Sequence, residues 1–172
     1  EGYPGPRAGS GESVPGRPGD YGGRQDMQTV YIMIGIPGAG KTTYAKTKLA
    51  HAAYLGTDAI REELFGKELT LRGHKRVHQI MHERMLHYLE EGRDVVIDCT
   101  NITRKRRKIL LNVIPPGHQI VALFMDTPLL QALKNNRSRK RHVPMIGIFS
   151  MKRNLCAPEL EEGFTQIYHI RP

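Results

Sequence analysis

The segment Gly35-Ile36-Pro37-Gly38-Ala39-Gly40-Lys41-Thr42 sets three glycines, a lysine and a threonine at a spacing suited to gripping a polyphosphate. Glycines let backbone N–H groups approach phosphate oxygens closely, and a helix opening at the loop's end adds favourable partial charge. Lys41 is expected to reach the β- and γ-phosphates of a nucleoside triphosphate, most simply ATP, and Thr42 to set its hydroxyl on Mg²⁺. Gly35, Pro37, Gly38, Ala39, Gly40 and Thr43 complete the expected contact set. The bland alternative is a glycine turn that binds nothing.

Three further groups could act beside that loop. In Leu55-Gly56-Thr57-Asp58-Ala59-Ile60-Arg61, Asp58 falls just past a short strand and can accept the proton of an attacking hydroxyl. Arg61, one helical turn on, faces the same way and can hold an anionic group of the acceptor. The competing reading makes Asp58 a helix N-cap and Arg61 a surface residue. Asp94-Val95-Val96-Ile97-Asp98 is an apolar run ending in a carboxylate, which places Asp98, rather than nearby Asn101, close to Mg²⁺ through water. Finally, Lys134 to Pro144 is rich in basic residues and lies between two helical patterns, where a lid over the phosphates would sit. A solvated basic loop is the ordinary reading of that stretch.

Two clusters are ambiguous. Arg104-Lys105-Arg106-Arg107-Lys108 reads either as a grip on a nucleic-acid backbone or as a solvated helix face. His74, His78 and His82 recur at i, i+4, i+8, a metal-compatible spacing, but without an acidic or cysteine partner they read as surface or interface histidines.

The elements that must position these groups alternate. Strands are expected at Thr29–Ile34, Ala53–Gly56, Asp94–Asp98, Gln119–Met125 and Thr165–Ile170. Helices are expected at Thr42–Ala50, from Asp58 through Phe65, and at His74–Glu91, Ile102–Val113 and Pro128–Asn136. Such alternation predicts an α/β fold: a central parallel sheet of about five strands, helices on both faces, and a helical lid.

Residues 1–26 hold eight Gly and four Pro, so this segment is expected to be a disordered tail or linker ahead of a single domain over residues 27–172. The chain of 172 residues carries a net charge of +9; the first 26 residues have three Arg against four acids, a net of −1, which leaves +10 for the rest. That surplus makes a polyanionic partner plausible. No run approaches the roughly 18 apolar residues of a membrane helix, and no signal-peptide pattern opens the chain. Cys99 and Cys156 form neither a metal nor a disulfide framework, so a soluble, cytoplasmic protein is expected. The chain's end directly after a strand would suit a domain of a longer protein.

Taken together, GIPGAGKT, TDAIREELFG, DVVIDCTNITRKRRK, NNRSRKRHVP and APELEEGFTQIYHI resemble the polynucleotide-kinase-like P-loop kinases, of the bacteriophage polynucleotide 5′-kinase type, over about Met27 to Ile170. The resemblance implies the three-layer P-loop NTPase fold and transfer of the γ-phosphate of ATP, with Mg²⁺, to the 5′-hydroxyl end of RNA or DNA. It implies roles too: Asp58 as general base, Arg61 on the acceptor's phosphate, Lys41 at the transferring phosphoryl group and Arg139 as the lid arginine on the ATP phosphates. Asn135 stands where the phage enzyme has another arginine, which leaves the parts of Arg137 and Arg141 open. Kinases of the same layout that act on small molecules or seryl-tRNA are the alternative acceptor reading. A non-catalytic nucleotide-binding regulatory module is the alternative of another class.

Overall fold

The computed structural model describes residues 27–66, 73–139 and 142–171. The Gly/Pro-rich tail over residues 1–26, and Arg141 of the basic segment, lie outside them.

Five strands form one wholly parallel sheet: β1 (Thr29–Ile34), β2 (Ala53–Gly56), β3 (Val95–Asp98), β4 (Gln119–Met125) and β5 (Gln166–Ile170), in the order β2-β3-β1-β4-β5. Among the described residues, six α-helices accompany them: α1 (Lys41–Lys48), α2 (Thr57–Phe65), α3 (His74–Glu90), α4 (Arg104–Leu111), α5 (Leu129–Arg137) and α6 (Met145–Asn154). A parallel sheet covered on both faces needs apolar residues on both sides of each inner strand. TVYIMI in β1 meets that need, since every residue in it is buried.

The period of two then divides the core. Val30, Ile32 and Ile34 join Ile60 of α2, Val77, Met81 and Met85 of α3, and Leu110 of α4 in one apolar layer. Tyr31 and Met33 face the other way, toward Ala45 of α1, Ala132 of α5 and Ile148 of α6. The result is three layers. At burial of about 25 cal/mol per Å² of apolar surface, these two layers supply most of the drive to fold.

The strand order sets where a ligand can bind. The chain leaves β1 toward β2 on one side and leaves β3 toward β4 on the other, so a crevice opens beyond the carboxyl ends of β1 and β3. The loop before α1 and the Asp98 carboxylate both lie there.

Asn101 and Arg107 fix the exit from β3. Asn101 is buried with φ of 47°, a left-handed conformation that Asn tolerates better than most residues. Its amide nitrogen donates to the Met33 carbonyl of β1 (2.9 Å), while the Gly35 N–H donates to the Thr100 carbonyl (3.0 Å). Arg107, from the middle of the basic run, is fully buried rather than on a solvated or nucleic-acid-gripping face. Its guanidinium pairs in bidentate fashion with Glu162 (both contacts 2.7 Å) and also donates to the carbonyls of Asn101, Cys156 and Ala157. Burial alone would raise the Glu162 carboxyl, but bonds from Arg107 and the Glu159 N–H hold it below its ordinary value. A depressed carboxylate contributes stability that is present above its unfolded pKa and is lost as pH falls through the folded one.

Removing one partner of a buried pair strands the other. Arg107→Ala is therefore expected to lower unfolding stability by about 3–5 kcal/mol in urea titrations. Arg106→Ala, one residue away and exposed, should change it by less than about 0.5 kcal/mol. Equal effects of the two would contradict the assignment.

Candidate active site

The phosphate-gripping loop is held in shape through its carbonyl groups. Lys41 Nζ donates to the Ile36 carbonyl (2.9 Å), Asn135 Nδ2 to that of Gly38 (2.9 Å), and Thr127 Oγ1 to that of Ala39 (2.9 Å). With the carbonyls engaged on one side, the peptide planes turn their N–H groups toward the other. Gly38 and Gly40 have φ of 80° and 91°, which glycine adopts without penalty. Gly40 is the N-cap of α1, so the first N–H groups of that helix have no acceptor within it and point into the crevice. Such an arrangement is an anion site.

Asn135 occupies the position where the resemblance led us to look for an arginine. Its amide ties α5 to the loop, a role that leaves no local mark in the sequence. Gly38 makes the same junction tight, because a Cβ there would lie 2.2 Å from the Ala132 carbonyl oxygen of α5.

On the metal side, Thr42 Oγ1 and the Tyr54 hydroxyl both donate to Asp98 Oδ2 at 2.6 Å. Asp98 and Thr42 are thus adjacent at the mouth of the anion loop, where their oxygens would suit a magnesium ion, which would supply charge neutralisation. Burial and the Asp98 carboxylate together push the Tyr54 phenol well above its ordinary pKa, so Tyr54 remains a donor. Burial pulls the Lys41 ammonium below its ordinary value, against the opposing pull of Asp98. An anion bound in the loop would favour the charged form of Lys41.

Across the crevice, α2 begins at Thr57 with Gly56 at its N-cap and no side-chain cap bond. Asp58 is therefore not the N-cap; it stands in the first turn with its carboxylate largely exposed to the cleft. Arg61 lines the same cleft, and its Nε is buried with no hydrogen-bond partner among the described residues. From the lid side, Arg139 Nη2 lies 3.4 Å from Asp58 Oδ2, so the two groups meet across the opening. Lys41, Thr42, Asp58, Arg61, Asp98 and Arg139 all border one cavity of about 830 Å³. Among the described residues, no group of three potential ligands could hold a metal through His, Cys, Asp or Glu alone, the three histidines included. Their rings instead stack edge to face along α3, at 4.5 Å and 6.3 Å between centroids, and border the far end of the cavity.

Two measurements check this geometry. Gly38→Ala adds strain at φ of 80° to an overlap with backbone, and is expected to weaken nucleotide binding at least about tenfold in calorimetric titration. Gly117→Ala, with φ of 91° but nothing within 4 Å, should carry only the local strain and leave binding intact. Burial beside Asp98 pushes the Cys99 thiol up to about 12, whereas Cys156 is exposed. Iodoacetamide at pH 7.5 is thus expected to label Cys156 and spare Cys99.

Comparison with known proteins matches residues 30–158 to the AAA domain family. The chain is 24% identical over 153 residues to the bifunctional polynucleotide phosphatase/kinase of Schizosaccharomyces pombe, covering 86% of this chain and 34% of that protein. It thus spans about a third of that relative's length. Among solved structures, it superposes on a chain of the Pnkp1/Rnl/Hen1 RNA repair complex with a TM-score of 0.70 at 19% identity, covering 78% of this chain and 46% of that one. An unliganded sugar kinase from Janibacter sp. HTCC2649 gives a TM-score of 0.61 at 23% identity, with 84% and 85% of the two chains covered. Structural likeness at these identities speaks for the fold, a five-stranded parallel sheet between helical layers. Because the family match spans well over half of the residues, this chain belongs to the AAA domain family.

Proposed function

We propose that the protein transfers the γ-phosphate of ATP to the 5′-hydroxyl end of RNA or DNA. The observation that carries this reading is the charge on the acceptor side of the cavity. Among the described residues, Arg61, Lys75, Lys105, Arg106 and Arg139 border it against two carboxylates, Asp58 and Asp98, both at the transfer end. A neutral sugar needs no such surplus, while an acceptor that carries phosphates does.

The chain's own residues divide the chemistry as follows. The loop N–H groups and Lys41 bind the triphosphate of the donor. Thr42 and Asp98, the latter through water, would hold Mg²⁺, which when bound offsets charge on the phosphate oxygens. Arg61 holds the acceptor phosphate next to the reacting hydroxyl, and Asp58 accepts the hydroxyl proton as the oxygen attacks. The new bond joins that oxygen to the γ-phosphorus, the bond from the γ-phosphorus to the β–γ bridging oxygen breaks, and ADP leaves. Arg139 shifts from Asp58 onto the transferring group, where its charge is most useful in the transition state. Positioning and electrostatics account for the acceleration.

The test is transfer from labelled ATP to a panel of 5′-hydroxyl oligonucleotides, tRNA, gluconate and other small alcohols. Oligonucleotide ends should be labelled by the wild type, and Asp58→Asn should reduce kcat by about 10²–10⁴-fold with KM for ATP little changed. Arg139→Ala should cost about 10³-fold in kcat. Label on small alcohols alone would overturn the assignment and favour the sugar-kinase reading that the Janibacter fold neighbour represents.

Salt supplies a separate check. With about three acceptor phosphates neutralised, affinity for an oligonucleotide should fall about tenfold or more between 50 and 200 mM salt. A flat response would speak for a small acceptor.

A further inference from the structure

One part of the cavity is not used by the transfer chemistry. Beside Arg61 the cavity is bordered by both α3 and α4, as a groove with His74, His78 and His82 from one helix and Lys105, Arg106 and Ile109 from the other. Eight residues of helix separate His74 from His82, a rise of about 12 Å, which exceeds the reach of one nucleotide held at Asp58 and Arg61.

The chemistry of the two walls differs. On α4, the basic residues alternate in fate: Arg104 pairs with Glu159 and Arg107 with Glu162. Among the described residues, Lys105 and Arg106 enter no ion pair and turn to the groove, whose far end carries no carboxylate. On α3 the histidines form an edge-to-face ladder. Burial, the flanking histidines, Arg106 and Arg61 push His78 down to about 4, and burial also lowers His74 and His82. At neutral pH the ladder is therefore uncharged. The floor adds Met81 and Leu110, and Ile109 stands 57% exposed at the rim.

Neutral imidazole faces and an uncovered aliphatic side chain suit a nucleobase, because every base has an apolar face that stacks on aromatic rings. Unpaired cations on the facing wall suit the phosphate of the same nucleotide. We infer that the groove between α3 and α4 is a second acceptor subsite, which holds the nucleotide following the one that bears the reacting hydroxyl, its base on His78 and His82 and its phosphate on Lys105 and Arg106. The inference rests on the polynucleotide acceptor proposed above and adds what determines the preferred acceptor length.

Acceptor-length kinetics test it. KM is measured for a nucleoside 3′-monophosphate, which fills only the transfer site, and for a 5′-hydroxyl trinucleotide, which reaches the groove. Wild type should show KM about tenfold lower for the trinucleotide. Arg106→Gln and His78→Ala should each erase most of that advantage, raising KM for the trinucleotide far more than KM for the monophosphate. Arg106 is exposed, so its variant tests the subsite even where His78→Ala perturbs packing. An undiminished length advantage in both variants overturns the subsite while leaving the kinase assignment standing. Equal KM for the two acceptors in wild type does the same. Failure of every nucleotide acceptor, with small alcohols phosphorylated, overturns both.

Discussion

Everything at the phosphate end depends on the capture of three loop carbonyls. A loop between a strand and a helix has as many acceptors as donors, and it grips anions only when the acceptors are directed elsewhere. Here they are directed to Lys41, Asn135 and Thr127, two of which come from the far side of β4 in sequence. The anion site is thus a property of the tertiary structure as much as of the glycine spacing. The same logic explains why β1 is central. Its end must meet β3 for the Thr42–Asp98 bond and β4 for the Thr127 bond, and only a middle strand has both neighbours.

A second constraint operates on the acceptor side. Asp58 must be exposed enough to receive a hydroxyl and yet fixed in position. It stands in the first turn of a helix whose N-cap is a glycine, with its carboxylate largely exposed. The two helical layers then take separate tasks. The layer of α1, α5 and α6 carries the donor loop and the lid, and the layer of α2, α3 and α4 carries the acceptor groups. In the proposed reaction, transfer takes place where the layers face each other past the sheet's carboxyl edge.

Much of this was legible in the sequence, for physical reasons that can be named. TVYIMI and QIVALFM are apolar runs of strand length, and their bounds, Thr29–Ile34 and Gln119–Met125, match the structure. The glycine spacing and the carboxylate after DVVI located the donor half. Helix ends shifted by one or two residues, as at α4, which runs Arg104–Leu111 rather than Ile102–Val113. The order of the strands was not legible, because parallel pairing leaves no local pattern. Arg107 was misjudged as part of a charged surface. A signal was present: Arg107 and Leu110 stand at i, i+3 on one stripe, so the arginine sits on the buried side of its helix. Asn135 and Thr127 carried none, since each acts through a single bond to a distant carbonyl. The ladder of histidines was visible as spacing, but only the packing of α3 against the cavity gives that spacing a direction.

The junction at Gly38 has a mechanical consequence. With the Ala132 carbonyl in the space a side chain would need, and Asn135 bonded to the Gly38 carbonyl, the helix behind the lid cannot slide or tilt without carrying the nucleotide loop with it. α5 and the floor of the loop are thus tied together at Gly38. In the proposed reaction, Arg139 would therefore reach from acceptor to donor against a loop and a helix that are tied together.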